Sequence, residues 1–140
     1  MSYTTLGEII RRRDPATLPV TATVQTACRM MRDRRVGAIL VTEADGRLAG
    51  LITGRDVVAR VVAEALDPAT TLLGAVMTVE PDRLAPDAGA TDALRMMKDG
   101  GYRHLPIVEG KRIAGIVSRG DFTCRDQTRR DEKTGFDEIL

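Results

Sequence analysis

Two short segments of the sequence carry the same set of groups, and these groups can bind a sugar and a phosphate. Each segment has a glycine, two aliphatic residues, a hydroxyl residue, two variable positions and an aspartate. The segments are Gly50–Asp56 and Gly115–Asp121. A carboxylate can accept hydrogen bonds from both hydroxyls of a ribose. A hydroxyl at the start of a helix lies where phosphate is attracted. The pattern therefore indicates a ribose-phosphate site at Thr53 with Asp56 and a second one at Ser118 with Asp121.

A purely structural interpretation competes with the binding interpretation. A Thr or Ser followed three residues later by an acid is typical of a capping box at a helix start. A single copy would favour the cap. Two copies at equivalent places, each after a glycine that lets a ligand or another backbone come close, favour binding. The two roles also coexist, because groups that cap a helix in the free protein can contact a ligand when it arrives.

The two segments belong to an internal duplication of the chain. Three pairs of stretches match in the same order, at offsets of 67, 66 and 65 residues: Leu6–Ile10 with Leu73–Met77, Ala27–Asp33 with Ala93–Asp99, and Leu48–Thr53 with Ile113–Ser118. The drift amounts to single-residue deletions in loops. The sequence therefore predicts two copies of one structural unit.

Each copy begins with a short Leu-Gly segment, Leu6–Ile10 or Leu73–Met77, which we call its leader. A helix follows the leader in each copy. The first helix is predicted near Val24 with Thr23 as its N-cap. Its twin is predicted near Ala90 and stops at Gly100–Gly101. Both helices carry apolar residues at helical spacing, which we interpret as core: Ala27, Met30 and Met31 in the first, and Ala93, Met96 and Met97 in the second.

A hairpin and a second helix complete each copy. The predicted strand pairs are 38–42 with 47–52 and 105–108 with 112–117. Pro106 lacks an N–H, so its strand is predicted to lie at an edge or to begin there. The second helices are predicted from Thr53 to about Leu66 and from Ser118 to about Arg125. This gives a mixed α/β (α+β) fold of two β-α-β-β-α repeats. Each repeat is too small to bury a good core alone, so we expect one pseudo-twofold module.

Composition and charge exclude several classes of protein. The 21 Lys and Arg residues nearly balance the 20 Asp and Glu residues, for a net charge of +1, which argues against a dedicated nucleic-acid binder. The single histidine and the two cysteines, Cys28 and Cys124, are not spaced as metal ligands. The cysteines are therefore predicted to be free thiols. Neither a secretory signal nor a membrane span is recognised, which predicts a cytoplasmic protein. The absence of a nucleophile–base–orienter set predicts that the protein is not an enzyme.

The repeat, the leader, the segment Tyr102–Val108 and the doubled glycine-to-aspartate motif together resemble the CBS domain family. The resemblance predicts CBS domains at residues 4–68 and 73–125, followed by a charged tail at 126–140. It implies a Bateman module, a tandem pair with two ligand clefts between its domains. Such a module is regulatory and non-catalytic, requires no cofactor, and binds AMP, ADP, ATP or another adenosine ligand such as an NAD-type dinucleotide or S-adenosylmethionine.

The resemblance also implies roles for individual residues. Asp56 and Asp121 would hold ribose hydroxyls, while Thr53 and Ser118 would contact phosphate or the ribose-phosphate link. The adenine would lie in apolar slots near the first strands of the two repeats and be read mostly by backbone groups. Those slots are expected around Val20 to Ala22 and around Ala85 to Asp87.

Basic residues distinguish the second repeat from the first. Family members related to AMP-activated protein kinase have a His-Arg pair before Leu-Pro; here Arg103 and His104 stand in swapped order. The pair implies phosphate contact without fixing each residue's part, and a surface histidine is the alternative for His104. The first repeat lacks such a pair, which predicts a weaker or differently filled cleft. Arg119 is the preferred phosphate ligand; Arg55 is a further candidate at a non-equivalent position, and a solvated arginine remains the alternative.

Partners follow from the same resemblance. We expect a homodimer through helix residues that include Val57, Val58, Val61 and Val62, and a protein target that the sequence does not identify. Two alternatives stay open: a nucleic-acid-binding module that uses the arginine runs, and a purely protein-interacting CBS module.

Overall fold

A computed structural model describes residues 4–122. Its helices are α1 (Leu6–Ile10), α2 (Val24–Arg34), α3 (Gly54–Val57), α4 (Leu73–Val76) and α5 (Ala90–Gly100). Its strands are β1 (Thr17–Pro19), β2 (Ala38–Thr42), β3 (Leu48–Thr53), β4 (Thr78–Val79), β5 (His104–Glu109) and β6 (Arg112–Ser118). A π-helical turn at Val58–Val62 continues α3, and a 3-10 turn at Arg119–Asp121 follows β6. The predicted mixed α/β class is confirmed; Cys124 and the predicted tail at 126–140 lie outside the described residues.

The described residues form two compact units that exchange their leader helices. The first unit contains Asp14–Asp82 with Gly110–Ile113, and the second contains residues 4–13, Arg83–Glu109 and 114–122. Helix α1, the leader of the first repeat, therefore packs with the second repeat, and α4 packs with the first. The predicted domain limits run along the sequence and do not reflect this exchange; they stay a prediction.

The first unit is built on a four-stranded sheet in the order β1-β2-β3-β4. Strand β1 runs parallel to β2, whereas the β2–β3 and β3–β4 pairs are antiparallel. Helix α2 starts as predicted, since Oγ1 of Thr23 accepts a hydrogen bond from the Thr26 N–H at 3.2 Å. Met30 and Met31 pack against the buried core, which confirms that they are core residues. That core consists of Ala16, Val24, Ala27, Ile39, Val41, Ile52, Val61, Leu73 and Val76.

The second unit packs α1 and α5 with the hairpin β5–β6. Helix α5 ends as predicted at Gly101, which takes the left-handed φ of 73°. Strand β5, which contains Pro106, pairs with β6 on one side and forms a single bridge from Ile107 to Leu84 on the other, where the Leu84 N–H donates to the Pro106 carbonyl at 3.2 Å. Met96 packs against the core and Met97 belongs to it. The buried core consists of Leu6, Ile10, Ala90, Ala93, Leu94, Met97, Leu105, Ile107, Val117 and Phe122.

The helix after each hairpin is shorter than predicted. In the first repeat, helical structure ends at Val62 instead of about Leu66, and Ala65 has a left-handed φ of 58°. In the second repeat, the predicted continuous helix from Ser118 is wrong: within the described residues a 3-10 turn covers Arg119–Asp121, and Phe122 is already extended at φ −91° and ψ 145°. The side chain of Phe122 is buried in the core of the second unit. Burying this large side chain is worth more than the few helical bonds that a continued turn would add.

Candidate ligand-binding site

The first motif forms a capping box where β3 meets α3. Oγ1 of Thr53 accepts a hydrogen bond from the Asp56 N–H at 3.1 Å, and Oδ2 of Asp56 accepts one from the Thr53 N–H at 3.0 Å. These bonds satisfy backbone donors that the first turn of a helix leaves without an intrahelical partner. Both side chains are half-buried. The capping interpretation is therefore confirmed, and the arrangement keeps a carboxylate at the edge of the unit.

A third residue contacts the Asp56 carboxylate. The hydroxyl of Thr78, in β4, donates to Oδ2 of Asp56 at 3.5 Å. Strand β4 reaches this position because it pairs with β3 through Leu51 and Thr78. The sequence patterns did not identify Thr78 as a site residue. Its position directly after the second leader is the feature that could have indicated it.

The glycine that opens each motif has a structural reason. A β-carbon on Gly50 would lie 2.6 Å from both the Thr78 carbonyl oxygen and the Met77 sulfur. A β-carbon on Gly115 would lie 3.0 Å from the side chain of Ile10. Gly50 thus leaves room for the end of the second leader and the strand that follows it, and Gly115 leaves room for the first leader. The sequence left open whether a ligand or another part of the protein comes close to these glycines. In the structure, neighbouring protein atoms account for both of them.

The predicted adenine segment of the first repeat lies just after β1. Val20 and Ala22 are half-buried against the core of the first unit. The carbonyl of Val20 accepts from the Gly74 N–H at 3.0 Å, and that of Ala22 accepts from the Leu73 N–H at 2.8 Å. The N–H groups of Val20 and Ala22 donate to Thr42 and Pro19 within the same unit. The segment's backbone groups therefore already hold α4 in place.

The corresponding segment of the second repeat is shifted by one residue from the prediction. The carbonyl of Pro86 accepts from the Gly7 N–H at 2.8 Å, and that of Ala88 accepts from the Leu6 N–H at 2.9 Å. These bonds repeat the ones that Val20 and Ala22 make to the other leader. The counterpart of Val20 is therefore Pro86, and the exposed Ala85 precedes it.

The second motif repeats the carboxylate contact of the first. The Ser118 N–H donates to Oδ2 of Asp121 at 2.7 Å. The same oxygen forms an ion pair with Nη1 of Arg13 at 3.0 Å. Arg13 was missed because it lies far from Asp121 in the sequence, just after the leader of the other repeat. Ser118 and Asp121 are half-buried, like their counterparts in the first unit.

The predicted basic pair lies beside the second motif. The Arg119 N–H donates to the Arg103 carbonyl at 2.9 Å, which joins the start of β5 to the 3-10 turn. In the first unit the Gly54 N–H donates to the Gly37 carbonyl at 3.1 Å in the same way. The side chain of Arg103 is exposed and that of Arg119 is half-buried. The structure thus brings Arg103, Arg119 and Asp121 into one region of the second unit.

The surroundings of His104 favour its neutral form. Burial lowers the pKa of its imidazole below the ordinary value of 6.5, the Arg103 guanidinium lowers it further, and Asp121 opposes the shift. A neutral imidazole can donate or accept a hydrogen bond but adds no positive charge. Positive charge near Asp121 therefore comes from the arginines. At the first motif, Arg55 is exposed on α3.

The sequence matches the family model described as CBS domain twice, at residues 6–63 and 73–124. The chain belongs to the CBS domain family. The two matches follow the internal repeat, so the predicted tandem CBS pair is confirmed.

Curated relatives with similar CBS sequences differ in how much of their length this chain covers. The Arabidopsis thaliana CBS domain-containing protein CBSCBSPB3 is 41% identical over 77% of this chain, which covers 19% of that protein. The Bacillus subtilis CBS domain-containing protein YhcV is 32% identical over 89% of this chain and 87% of its own length. The chain thus spans about a fifth of the Arabidopsis relative and most of the Bacillus one.

Solved structures share the fold. A CBS-domain-containing protein from Agrobacterium tumefaciens is 28% identical, with a TM-score of 0.76 over 84% of this chain and 89% of its own. A CBS domain protein from Pyrobaculum aerophilum, complexed with AMP, has a TM-score of 0.82 over 92% of this chain and 99% of its own at 23% identity. At that identity the second likeness shows the fold.

Residues 4–122 also lack two features. No helix in this range is long and apolar enough to cross a membrane. No group of three or more His, Cys, Asp or Glu side chains in the described part of the chain is placed to hold a metal ion. Cys28 is a half-buried free thiol, and burial raises its pKa.

Proposed function

We propose that this tandem CBS pair is a non-catalytic regulatory module that binds an adenosine-containing ligand, in the first place AMP, ADP or ATP. The observation that carries the proposal is the repeated junction, in which backbone N–H groups hold Oδ2 of Asp56 and of Asp121 at the end of a hairpin. The AMP complex of the Pyrobaculum aerophilum protein supports the proposal, because that protein has the same fold. NAD-type dinucleotides and S-adenosylmethionine contain the same adenosine and are further candidates.

The two carboxylates suit a ribose diol. Each aspartate is oriented by a backbone bond to one oxygen and is half-buried, so it is partly desolvated but still reachable. A carboxylate accepts hydrogen bonds only, and a diol offers two donors at matching spacing. Thr53 and Ser118, beside them, would contact the ribose-phosphate link. A ligand bound there would regulate a partner only through its different affinity for two states of the module.

Isothermal titration calorimetry with AMP, ATP, NADH and S-adenosylmethionine tests the proposal. We expect at least one of these ligands to bind with micromolar affinity. Asp56→Ala and Asp121→Ala should each weaken binding at one site by about tenfold to a hundredfold, since a hydrogen bond to a charged group contributes about 1.5–3 kcal/mol.

Asp92→Ala is the matched control. Oδ2 of Asp92 accepts from the Gly89 N–H at 3.2 Å, which is the same capping bond at the start of α5. Losing this bond should destabilise the helix slightly and leave ligand binding unchanged. Absence of binding by all four ligands would leave the motifs as helix caps alone and direct the search to a protein or nucleic-acid partner.

We further propose that the module forms a homodimer through the helix after β3. Val58 and Val62 expose 63% and 66% of their surface, and Leu66, four residues after the helical turn ends, exposes 44%. Val61 is fully buried and Val57 is half-buried against the core. The proposed dimer surface therefore centres on Val58 and Val62 and excludes Val61.

Val62→Asp should raise the dissociation constant of such a dimer by about tenfold or more, because a buried apolar anchor carries much of the binding energy. Sedimentation velocity over a range of protein concentrations measures the shift. Val79→Asp is the control, since Val79 is 64% exposed but lies in β4. A wild-type chain that stays monomeric, or equal effects of both substitutions, would contradict the assignment.

A further inference from the structure

We propose that Arg13 makes the second site selective for adenosine ligands that carry a phosphate, and the inference rests on the proposed function. Nη1 of Arg13 lies 3.0 Å from Oδ2 of Asp121, the oxygen that also accepts the Ser118 N–H. The guanidinium thus lies directly beside the proposed ribose and phosphate contacts.

The leader holds Arg13 in this position. Helix α1 is attached to the second unit by the Leu6 and Gly7 N–H groups, which donate to the carbonyls of Ala88 and Pro86. Arg12 then takes a left-handed φ of 67°, which turns the chain after α1. The Arg13 N–H closes this turn by donating to the Ile10 carbonyl at 3.0 Å. Arg13 therefore begins from a fixed backbone, although its side chain is 45% exposed and able to move.

The ion pair determines which ligands the second site favours. A ribose that binds Asp121 competes with Arg13 for the carboxylate. With adenosine alone, the guanidinium loses an anionic partner and gains none. With AMP, the phosphate offers a new anion to which a guanidinium can make paired hydrogen bonds. The exchange therefore favours the nucleotide over the nucleoside.

Among residues 4–122, the contacts of the first site differ from those of the second. In the register that matches Leu6 with Leu73, the residue matching Arg13 is Glu80. Asp56 receives the neutral Thr78 hydroxyl where Asp121 receives a guanidinium. The second motif also starts only a three-residue 3-10 turn, so little helix dipole is available there. Side-chain cations must supply the attraction for phosphate at the second site.

The two sites should consequently take different ligands of the adenosine class. The second site should favour ligands with a phosphate near the ribose, and it should disfavour S-adenosylmethionine, which has none and carries a sulfonium cation. The first site should discriminate less between nucleotide and nucleoside. The asymmetry would let one chain respond to two different adenosine ligands.

The test measures AMP and adenosine binding by calorimetry in the Asp56→Ala background, in which the first site is weakened and the second site dominates the binding signal. Arg13→Ala should lower the ratio of AMP affinity to adenosine affinity by about tenfold, as expected for loss of one charge-assisted contact to phosphate. Arg11→Ala is the control, because it removes the same charge from the exposed end of the same leader. It should leave the ratio unchanged.

Three results are distinguishable. A lower ratio for Arg13→Ala alone supports the inference. An unchanged ratio, with AMP and adenosine still bound, overturns the role of Arg13 and leaves the proposed function intact. Failure of both ligands to bind the Asp56→Ala protein, while that protein remains folded by circular dichroism, overturns the second site and the inference together.

Discussion

Gly50→Ala should lower the free energy of unfolding by about 1–3 kcal/mol, the usual cost of adding atoms to a filled interior. The added β-carbon would lie 2.6 Å from the carbonyl oxygen of Thr78, which is backbone and cannot move without breaking the β3–β4 pair. The same displacement would draw the Thr78 hydroxyl away from Asp56. Urea unfolding followed by far-ultraviolet circular dichroism suits the measurement, because the chain has no tryptophan.

Gly54→Ala is the matched control within the same motif. A β-carbon at Gly54 meets no atom within 4 Å, and the residue begins α3. Alanine favours a helix over glycine by about 0.5–1 kcal/mol, so this substitution should leave stability equal or higher. If both alanine variants lost the same stability, the close approach of β4 would not be the reason for Gly50.

Leu6→Ala should cost about 2–5 kcal/mol of unfolding free energy, the range for truncating a large buried aliphatic side chain. Leu6 is fully buried among core residues of the second unit, including Leu94 and Leu105. The expected loss of stability is large because Leu6, a residue of the first repeat, is buried in the core of the second unit. Thermal or urea unfolding measures it.

Leu72→Ala provides the comparison for Leu6→Ala. Leu72 precedes the second leader and is 45% exposed, so its truncation should change stability by no more than about 0.5 kcal/mol. A small loss from Leu6→Ala, close to that of Leu72→Ala, would mean that the leader does not stabilise the second unit. Such a result would also remove the fixed backbone from which Arg13 reaches Asp121.

Local patterns predicted much of this fold. Thr23 was identified as a helix N-cap and Gly101 as part of a helix stop, and each acts through bonds to residues within four or five positions. The capping box at Thr53 and Asp56 is local in the same sense. The spacing of apolar residues and the turn residues also identified both hairpins, because a hairpin is specified by residues that are close in sequence.

Features that depend on distant residues were missed. The leader α1 packs on the second repeat, and nothing near Leu6 in the sequence indicates which core it joins. Arg13 and Thr78, which follow those exchanged leaders in the chain, contact the two motif aspartates. The predicted helix after Ser118 failed for a related reason, since the tertiary burial of Phe122 overrode local helix propensity. The site residues identified by pattern are therefore incomplete without the residues that the leader exchange adds.

The most direct test of the central proposal is a titration of isotopically labelled protein with AMP, followed by nuclear magnetic resonance of the backbone amides. Amides at the ends of the two hairpins should shift in a saturable way, those of Thr53 to Asp56 and of Ser118 to Asp121. The amides of Gly89 to Asp92, which share the capping geometry but not the junction, should stay in place. Saturable shifts confined to other parts of the chain, or none at millimolar AMP, ATP, NADH and S-adenosylmethionine, would contradict an adenosine site at these aspartates.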